Sequence, residues 1–335
     1  LATILPAGYP EAVNAGYGSY TGWQFTSMVF SSAAGVLSTQ ALLHAVGLGS
    51  GAIPLAAALN WVIKDGLGQL GGVIFSSMVS TRFDANPKLW RMVSALALDA
   101  STALELLSPF FPGYFVALAS VANVGKNVSF LAASASRAAI HNAFAKRENL
   151  ADITGKAGSQ VIISSMAGMG LGIALAAVVG SEWTYVAPTA AILCFGHLTS
   201  TYQCLRPVVL PTIDSQRLEL ILDAEVATGA IPQPAAVSAH ETIFLHPLRA
   251  YLSRHKLPSL VIGAQVSEAI CTSHELQALW DYATTAVVDN SGVNSSSAQR
   301  SACVYLLLLE GATSATVLEG ARHAYAVRKA LVEQG

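Results

Sequence analysis

The chain has 335 residues, of which 53% are hydrophobic and only 11% charged, and its mean hydropathy is +0.51. An average soluble domain carries about 25% charged residues, so this composition excludes a disordered chain and argues against an ordinary water-soluble globule. The formal net charge of −2 supplies no basic field for nucleic acid, and no nucleic-acid partner is expected.

The charge is unevenly placed. Residues 1–210 hold 10 Lys/Arg and 8 Asp/Glu, whereas the shorter stretch 211–335 holds 8 and 12. A sparsely charged body, 1–210, is therefore expected to precede an amphipathic helix and linker, 211–238, and a small aqueous domain, 239–335.

The body reads as six apolar helices over about 22–48, 52–80, 92–108, 113–140, 157–181 and 183–206. The first lies in a stretch without any Asp, Glu, Lys or Arg from Ala12 to Ile63. The second is broken only by Lys64-Asp65. The polar segment Thr81–Lys88 reads as a loop, and Pro109 and Pro112 end the third helix. The charged segment Lys146–Lys156 is expected in water. The fifth and sixth runs, Ala157–Ser181 and Trp183–Leu205, have 25 and 23 residues without charge, long enough to cross about 30 Å of hydrocarbon. A soluble all-helical domain with buried apolar helices is the competing reading. Lys88, Arg91, Lys146, Arg147 and Lys156 fall in loops on one side if all six runs span, which the positive-inside tendency makes cytosolic or stromal.

After Pro211 the texture changes. Asp214–Thr228 reads as the amphipathic helix, closed by Gly229. Ser259–Val266 reads as a strand, Thr272–Val287 as a helix opened by a capping box, Asp289–Arg300 as a loop, Ala302–Leu309 as a strand and Ser314–Glu333 as a helix. The fold class is thus mainly α: a six-helix membrane bundle followed by a small β-α-β-α domain.

The informative residues are the charges inside apolar runs. A charge at the bilayer centre costs about 2.5–3.5 kcal/mol on insertion scales. Lys64, Asp65, Asp99 and Lys126 are expected to neutralise one another in an internal polar or substrate site, with Asn60, Asn123 and Glu105 nearby. The same residues suit a purely structural ion-pair network that fixes helix register. Asp84, Lys88 and Arg91 are expected to staple the loop between the second and third helices. Gly68/Gly72 and Gly168/Gly172 match GxxxG and read as close helix contacts. His44, His141 and His197 lie singly and read as core or interface histidines. Cys194, Cys204, Cys271 and Cys303 lack metal-ligand spacing and read as free thiols. No nucleotide, hydrolase or metalloprotease motif stands in a supporting context, so no catalytic residue, metal or cofactor is expected.

Several segments together resemble the root UVB sensitive family. They are Leu5-Pro-Ala-Gly-Tyr-Pro-Glu11, Thr39-Gln-Ala-Leu-Leu43, Asn60-Trp-Val-Ile-Lys-Asp-Gly66 with Gly68, Leu70 and Gly71, Asp84-Ala-Asn-Pro-Lys-Leu-Trp-Arg91, Ser136-Arg-Ala-Ala139, and Asn149 through Gln160. Gly72, where relatives often carry Arg, and Ser134-Ala135, where they often carry Gly-Gly, depart from the pattern. The resemblance implies a membrane-associated protein, in plants often plastidial, that works with family paralogues and is linked to ultraviolet-B responses, seedling development, auxin transport and vitamin B6 homeostasis. The six-helix architecture is also similar to one half of a major facilitator transporter, which would need a second half around a midplane site. The expectation is therefore a non-enzymatic carrier-like or regulatory membrane protein of the plastid (chloroplast). Its partners would be the lipid membrane and a paralogue or second copy. The alternative is a scaffold subunit of a larger organellar membrane complex.

Overall fold

The computed structural model describes residues 4–45, 55–79, 83, 86–243, 259–262, 285–289, 303–308 and 313–334. The chain divides into two compact units, 1–218 with 232–244, and 219–231 with 245–335.

Six long helices make up most of the first unit: α1 (Tyr17–Ala45), α2 (Leu55–Val79), α3 (Pro87–Leu107), α4 (Phe115–Phe144), α5 (Leu150–Val179) and α6 (Trp183–Leu205). Three of them, α1, α3 and α5, begin earlier than their apolar runs. In α3 the Asn86 side chain accepts the Leu89 N–H at 3.0 Å and Pro87 occupies the first turn, so the Asn-Pro pair starts the helix ahead of Met92. The segment Thr81–Lys88 is thus not all loop. In α5 the first two turns take in the charged residues Asp152 and Lys156, where an acidic first turn suits the helix dipole.

α1 is the hub. It packs against α5, α6 and α3, while α4 packs against α3 and α2. The starts of α1, α3 and α5 meet the ends of α4 and α6 in one apolar cluster, with Tyr17, Tyr20, Met92, Phe144, Ile153 and Leu205 among its members. The two basic segments therefore lie at the same end of the bundle. Toward the other end Ala33, Ala34, Leu37, Leu106, Ala190 and Leu193 form a second cluster. Between the clusters the helices meet through small and polar residues, such as the 2.8 Å Ser27–Thr201 hydroxyl pair.

The peripheral helices touch the bundle along glycine stripes. A Cβ on Gly168 would fall 2.5 Å from the Val29 carbonyl oxygen and 2.7 Å from Ser32 Cβ, and one on Gly172 would fall 2.8 Å from Val36 Cβ. On α2, a Cβ on Gly68 would meet Asn123 Cγ at 2.6 Å, and one on Gly72 would meet Asn127 Cβ at 3.0 Å. Both GxxxG pairs are thus points where backbones approach closely. Among the described residues nothing covers the outer faces of these helices. Val62, Leu70, Val73 and Met78 of α2 are exposed, as are Ile162, Met166, Ile173 and Val178 of α5. Among the described residues, two stretches, Pro112–Phe144 and Leu150–Val179, are long and apolar enough to cross a membrane. Hydroxyl, amide, glycine and charged residues hold down the mean hydropathy of the other four helices.

The amphipathic helix is α7 (Ser215–Thr228). The stretch read as linker contains a further short helix, α8 (Pro234–His240), started by its proline. The division into units also differs from the expected boundaries at 210 and 239, because α8 and Glu241–Ile243 belong with the helical unit.

In the second unit, strands β1 (Ser259–Ile262), β2 (Thr285–Asp289) and β3 (Cys303–Leu308) form a sheet in the order β1-β3-β2. β1 runs parallel to β3 and β2 antiparallel to it. Helix α9 (Ser314–Gln334) packs against all three strands, and its Tyr325 hydroxyl donates to Asp223. The helix expected through Val287 is corrected at its end: Thr285-Ala-Val-Val-Asp289 is a strand, as its β-branched residues favour. Residues 272–284, the loop residues 290–300 and Cys271 lie outside the described residues.

Gly168→Ala should lower the thermal midpoint in non-ionic detergent by the equivalent of about 1–3 kcal/mol, the usual cost of overpacking. Gly170→Ala, on the open side of the same helix with nothing within 4 Å of its Cβ, should leave the midpoint unchanged or raise it. Equal behaviour of the two variants would contradict the glycine contact.

Candidate functional site

One turn of α4 meets two of the buried charge pairs of the first unit. Asn123 faces α2, where its side-chain amide donates to the Lys64 carbonyl and to Asp65 Oδ1, both at 3.2 Å. The Gly68 surface leaves room for that amide. Lys64 is buried, pairs with its neighbour Asp65, and lies 4.7 Å from the centre of the Trp61 ring. Three residues after Asn123, Lys126 faces α3 and pairs with Glu105. A Cβ on the intervening Gly125 would meet Ser101 Oγ, so α3 and α4 are close enough for that pair to form. Glu105 is 2% exposed and Lys126 is 28% exposed, so the carboxylate is sealed and the ammonium reaches a surface.

The third pair joins α3 to α6. His197 Nδ1 lies 2.8 Å from Asp99 Oδ1, with both side chains buried. The expected cluster is therefore redistributed. Lys64, Asp65, Asp99 and Lys126 do not neutralise one another in a single site; they meet separate partners in three pairs. Asn123 and Glu105 take part as expected, while Asn60, half-buried one turn before Lys64, joins none of these pairs among the described residues. Local geometry explains the outcome, since adjacent Lys64 and Asp65 satisfy each other and His197 reaches Asp99 from across the bundle. His197, read as a core histidine, is a residue the sequence pattern missed.

The proposed loop staple is also corrected. Asp84 lies outside the described residues. Lys88 turns to Glu241 at 2.6 Å and to the Ser238 hydroxyl at 3.0 Å. Arg91 donates to Ser94 Oγ at 2.9 Å and lies 3.4 Å from Gln24 Oε1. Glu241 accepts on both carboxylate oxygens, because Arg217 Nε and Nη2 reach its Oε1 at 2.9 and 2.7 Å. Burial pushes the Lys88 ammonium below the ordinary lysine value, and the Glu241 carboxylate acts in the opposite direction. Lys88 thus anchors α3 to the segment after α8. No local sequence pattern announces this partner, 153 residues away.

At the same end the N-terminal segment is fastened to the start of α5. Asp152 Oδ2 accepts the Ala7 N–H at 2.7 Å, Asn149 donates to the Ala12 carbonyl at 2.9 Å, and Gln160 donates to the Ile4 carbonyl at 2.6 Å. Residues 4–12 and 149–160 are thereby fastened to each other.

A groove of about 870 Å³ opens beside Lys126, between α1, α4 and α5. Thr39, Gln40 and Ser165 line it. Among the described residues no three His, Cys, Asp or Glu side chains gather where a metal could bind.

These features define a helical body with paired interior charges and bare apolar flanks. Residues 1–229 match the family model described as the vitamin B6 photo-protection and homoeostasis domain. The chain is 36% identical over 245 residues to protein root UVB sensitive 4 of Arabidopsis thaliana, covering 70% of this chain and 46% of that protein. It is 35% identical over 243 residues to protein root UVB sensitive 2, chloroplastic, of the same plant, covering 72% and 56%. It is 31% identical over 245 residues to RUS family member 1 of Dictyostelium discoideum, covering 72% and 46%. The chain belongs to the root UVB sensitive family, and it spans about half the length of these relatives. No solved structure matches it.

Glu241→Ala should cost more stability than Lys88→Ala. Removing the carboxylate strands buried Lys88 and leaves Arg217 only Asp214 at 3.7 Å as a counter-charge, a loss of about 3–5 kcal/mol, whereas Lys88→Ala leaves Glu241 paired with Arg217. Thermal unfolding of both variants in detergent checks the order, and a smaller loss for Glu241→Ala would contradict it.

Proposed function

We propose that the helical body lies in an organellar membrane and acts there as a non-enzymatic carrier-like or regulatory component built round its interior polar residues. The observation that carries this reading is the contrast between the outside and inside of the bundle. Large apolar side chains of α2 and α5 stand exposed, while Lys64, Glu105, Asp99 and His197 are buried and paired. Water would penalise the first arrangement and favour exposing the second; hydrocarbon reverses both preferences. With the N-terminal end of α1 on the cytosolic or stromal side, the basic residues Lys146, Arg147 and Lys156 follow the positive-inside tendency.

A carrier is favoured over a scaffold by Lys126. Its ammonium is partly exposed beside the groove rather than sealed within the bundle. A scaffold needs only dry pairs, whereas a carrier needs a polar group that water and solute reach. A single six-helix body is half of the usual carrier architecture, so a second copy or a family paralogue would complete it, with other membrane subunits as further partners. The plastid is the proposed location, in line with the relative whose name is chloroplastic.

A cysteine placed at Thr39, in the groove, should react with a charged, membrane-impermeant thiol reagent when the full chain is in lipid vesicles. A cysteine at Val178, on the bare outer face, should not. Protection of the Thr39 position would favour the scaffold over the carrier.

A further inference from the structure

The six helices form two similar triplets running in opposite directions. α5 lies on α1 in parallel, with Gly168 beside Val29 and Ser32 and Gly172 beside Ala33 and Val36. α2 lies on α4 in the same way, with Gly68 beside Asn123 and Gly72 beside Asn127. α6 packs on α1 as α3 packs on α4, and α3 and α6 touch each other where Asp99 faces His197. The packing of α1 on α5 and α6 is thus matched by that of α4 on α2 and α3 with the direction reversed, while the contact of α1 with α3 has no such match between α4 and α6. Such inverted repeats place a ligand site near mid-helix, at the seam between the units.

The groove lies at that seam, joining α1 of one triplet to α4 and α5 of the other. Ser32, Gly35, Thr39 and Gln40 bring one face of α1 to it at helical spacing. Lys126 supplies the cation, and its ammonium has three donors, one of which is engaged by Glu105. Gln40 supplies the second observation. Its Nε2 donates to the Gly180 carbonyl at 3.2 Å, while its buried Oε1 accepts no hydrogen bond among the described residues. A buried acceptor left empty costs about 1–3 kcal/mol, so it calls for a donor that the protein does not provide.

We propose that the groove between α1, α4 and α5 binds a small organic anion, a carboxylate or phosphate that also carries an N–H or O–H donor. The anionic end meets the free donors of Lys126, the half-buried Gln40 side chain turns its unpaired Oε1 outward to meet the N–H or O–H, and Ser32 and Ser165 offer hydroxyls to the rest. Glu105 holds the ammonium when the groove is empty, so the solute shares a cation already neutralised. That limits affinity, as suits a molecule to be released. This site rests on the carrier reading and specifies the chemistry of its solute.

Gly35 provides the test. A Cβ there meets nothing within 4 Å, so Gly35→Leu fills the groove without disturbing helix contacts or stranding Glu105. The full chain in dodecyl maltoside is titrated with β-alanine, β-hydroxybutyrate and phosphoethanolamine, with butyrate and choline as controls, and the thermal midpoint is followed. Binding to the folded state raises that midpoint. At least one of the three probes should raise it more than either control, and Gly35→Leu and Gln40→Leu should each weaken that probe by about tenfold or more, equivalent to about 1.4 kcal/mol. The proposal is overturned if none of the three probes raises the midpoint above the controls, or if Gly35→Leu responds as the unaltered chain does. Should the charged thiol reagent reach position 39 while no probe binds, the solute class falls and the water-accessible groove stands.

Discussion

An ionised side chain inside an apolar bundle is costly unless a counter-charge or hydrogen-bonding partners lie within reach. Much of this fold follows from that constraint. Lys126 needs Glu105, and the two meet because Gly125 lets α4 lie against Ser101 of α3. The Asp99 carboxylate meets His197 in a buried hydrogen bond, which ties α3 to α6. Lys64 and Asp65 satisfy each other and draw in Asn123, which ties α2 to α4. Each pair therefore fixes the rotation and height of one helix against another. The apolar contacts, which are less directional, fill the space that remains.

The small residues make those approaches possible. Helices α2 and α5 meet the bundle largely through glycine and polar stripes, and many of their large apolar side chains are exposed. A water-soluble helix turns its apolar stripe inward. Here the close-approach face is inward and the greasy face outward, the arrangement expected where lipid is the solvent and close packing holds helices together. The same stripes recur with reversed direction in the two triplets, so the body reads as one motif used twice.

How much of this was legible in the sequence depended on the range of the interaction. The helices were legible because apolar runs, prolines and caps act locally; Asn86-Pro87 and Leu150–Lys156 were misread because polar composition hid helical starts. Gly68, Gly72, Gly168 and Gly172 were legible as contacts because spacing alone puts them on one face. The importance of the buried charges was legible, but their partners were not. Nothing near Asp99 names His197, and nothing near Lys88 names Glu241, since folding alone brings them together. The family segments proved informative in a different way: residues 149–160 hold residues 4–12, which include the segment 5–11, through Asp152, Asn149 and Gln160. In the second unit, Thr285–Val287 was read as the end of a helix, although its β-branched residues favour the strand Thr285–Asp289 that forms.

The central claim is that hydrocarbon surrounds the bundle while its charges meet inside. Spin labels placed singly along α5, at Ile162, Met166, Ile173 and Val178 and also at Ser164, test it directly when the full chain is reconstituted in lipid. Collision with molecular oxygen reports lipid exposure, and collision with a water-soluble nickel chelate reports aqueous exposure. The four outward positions should show high oxygen and low nickel accessibility, with the buried Ser164 position low in both. High nickel accessibility at Ile162, Met166 and Ile173 would place α5 in water and contradict the membrane-embedded body.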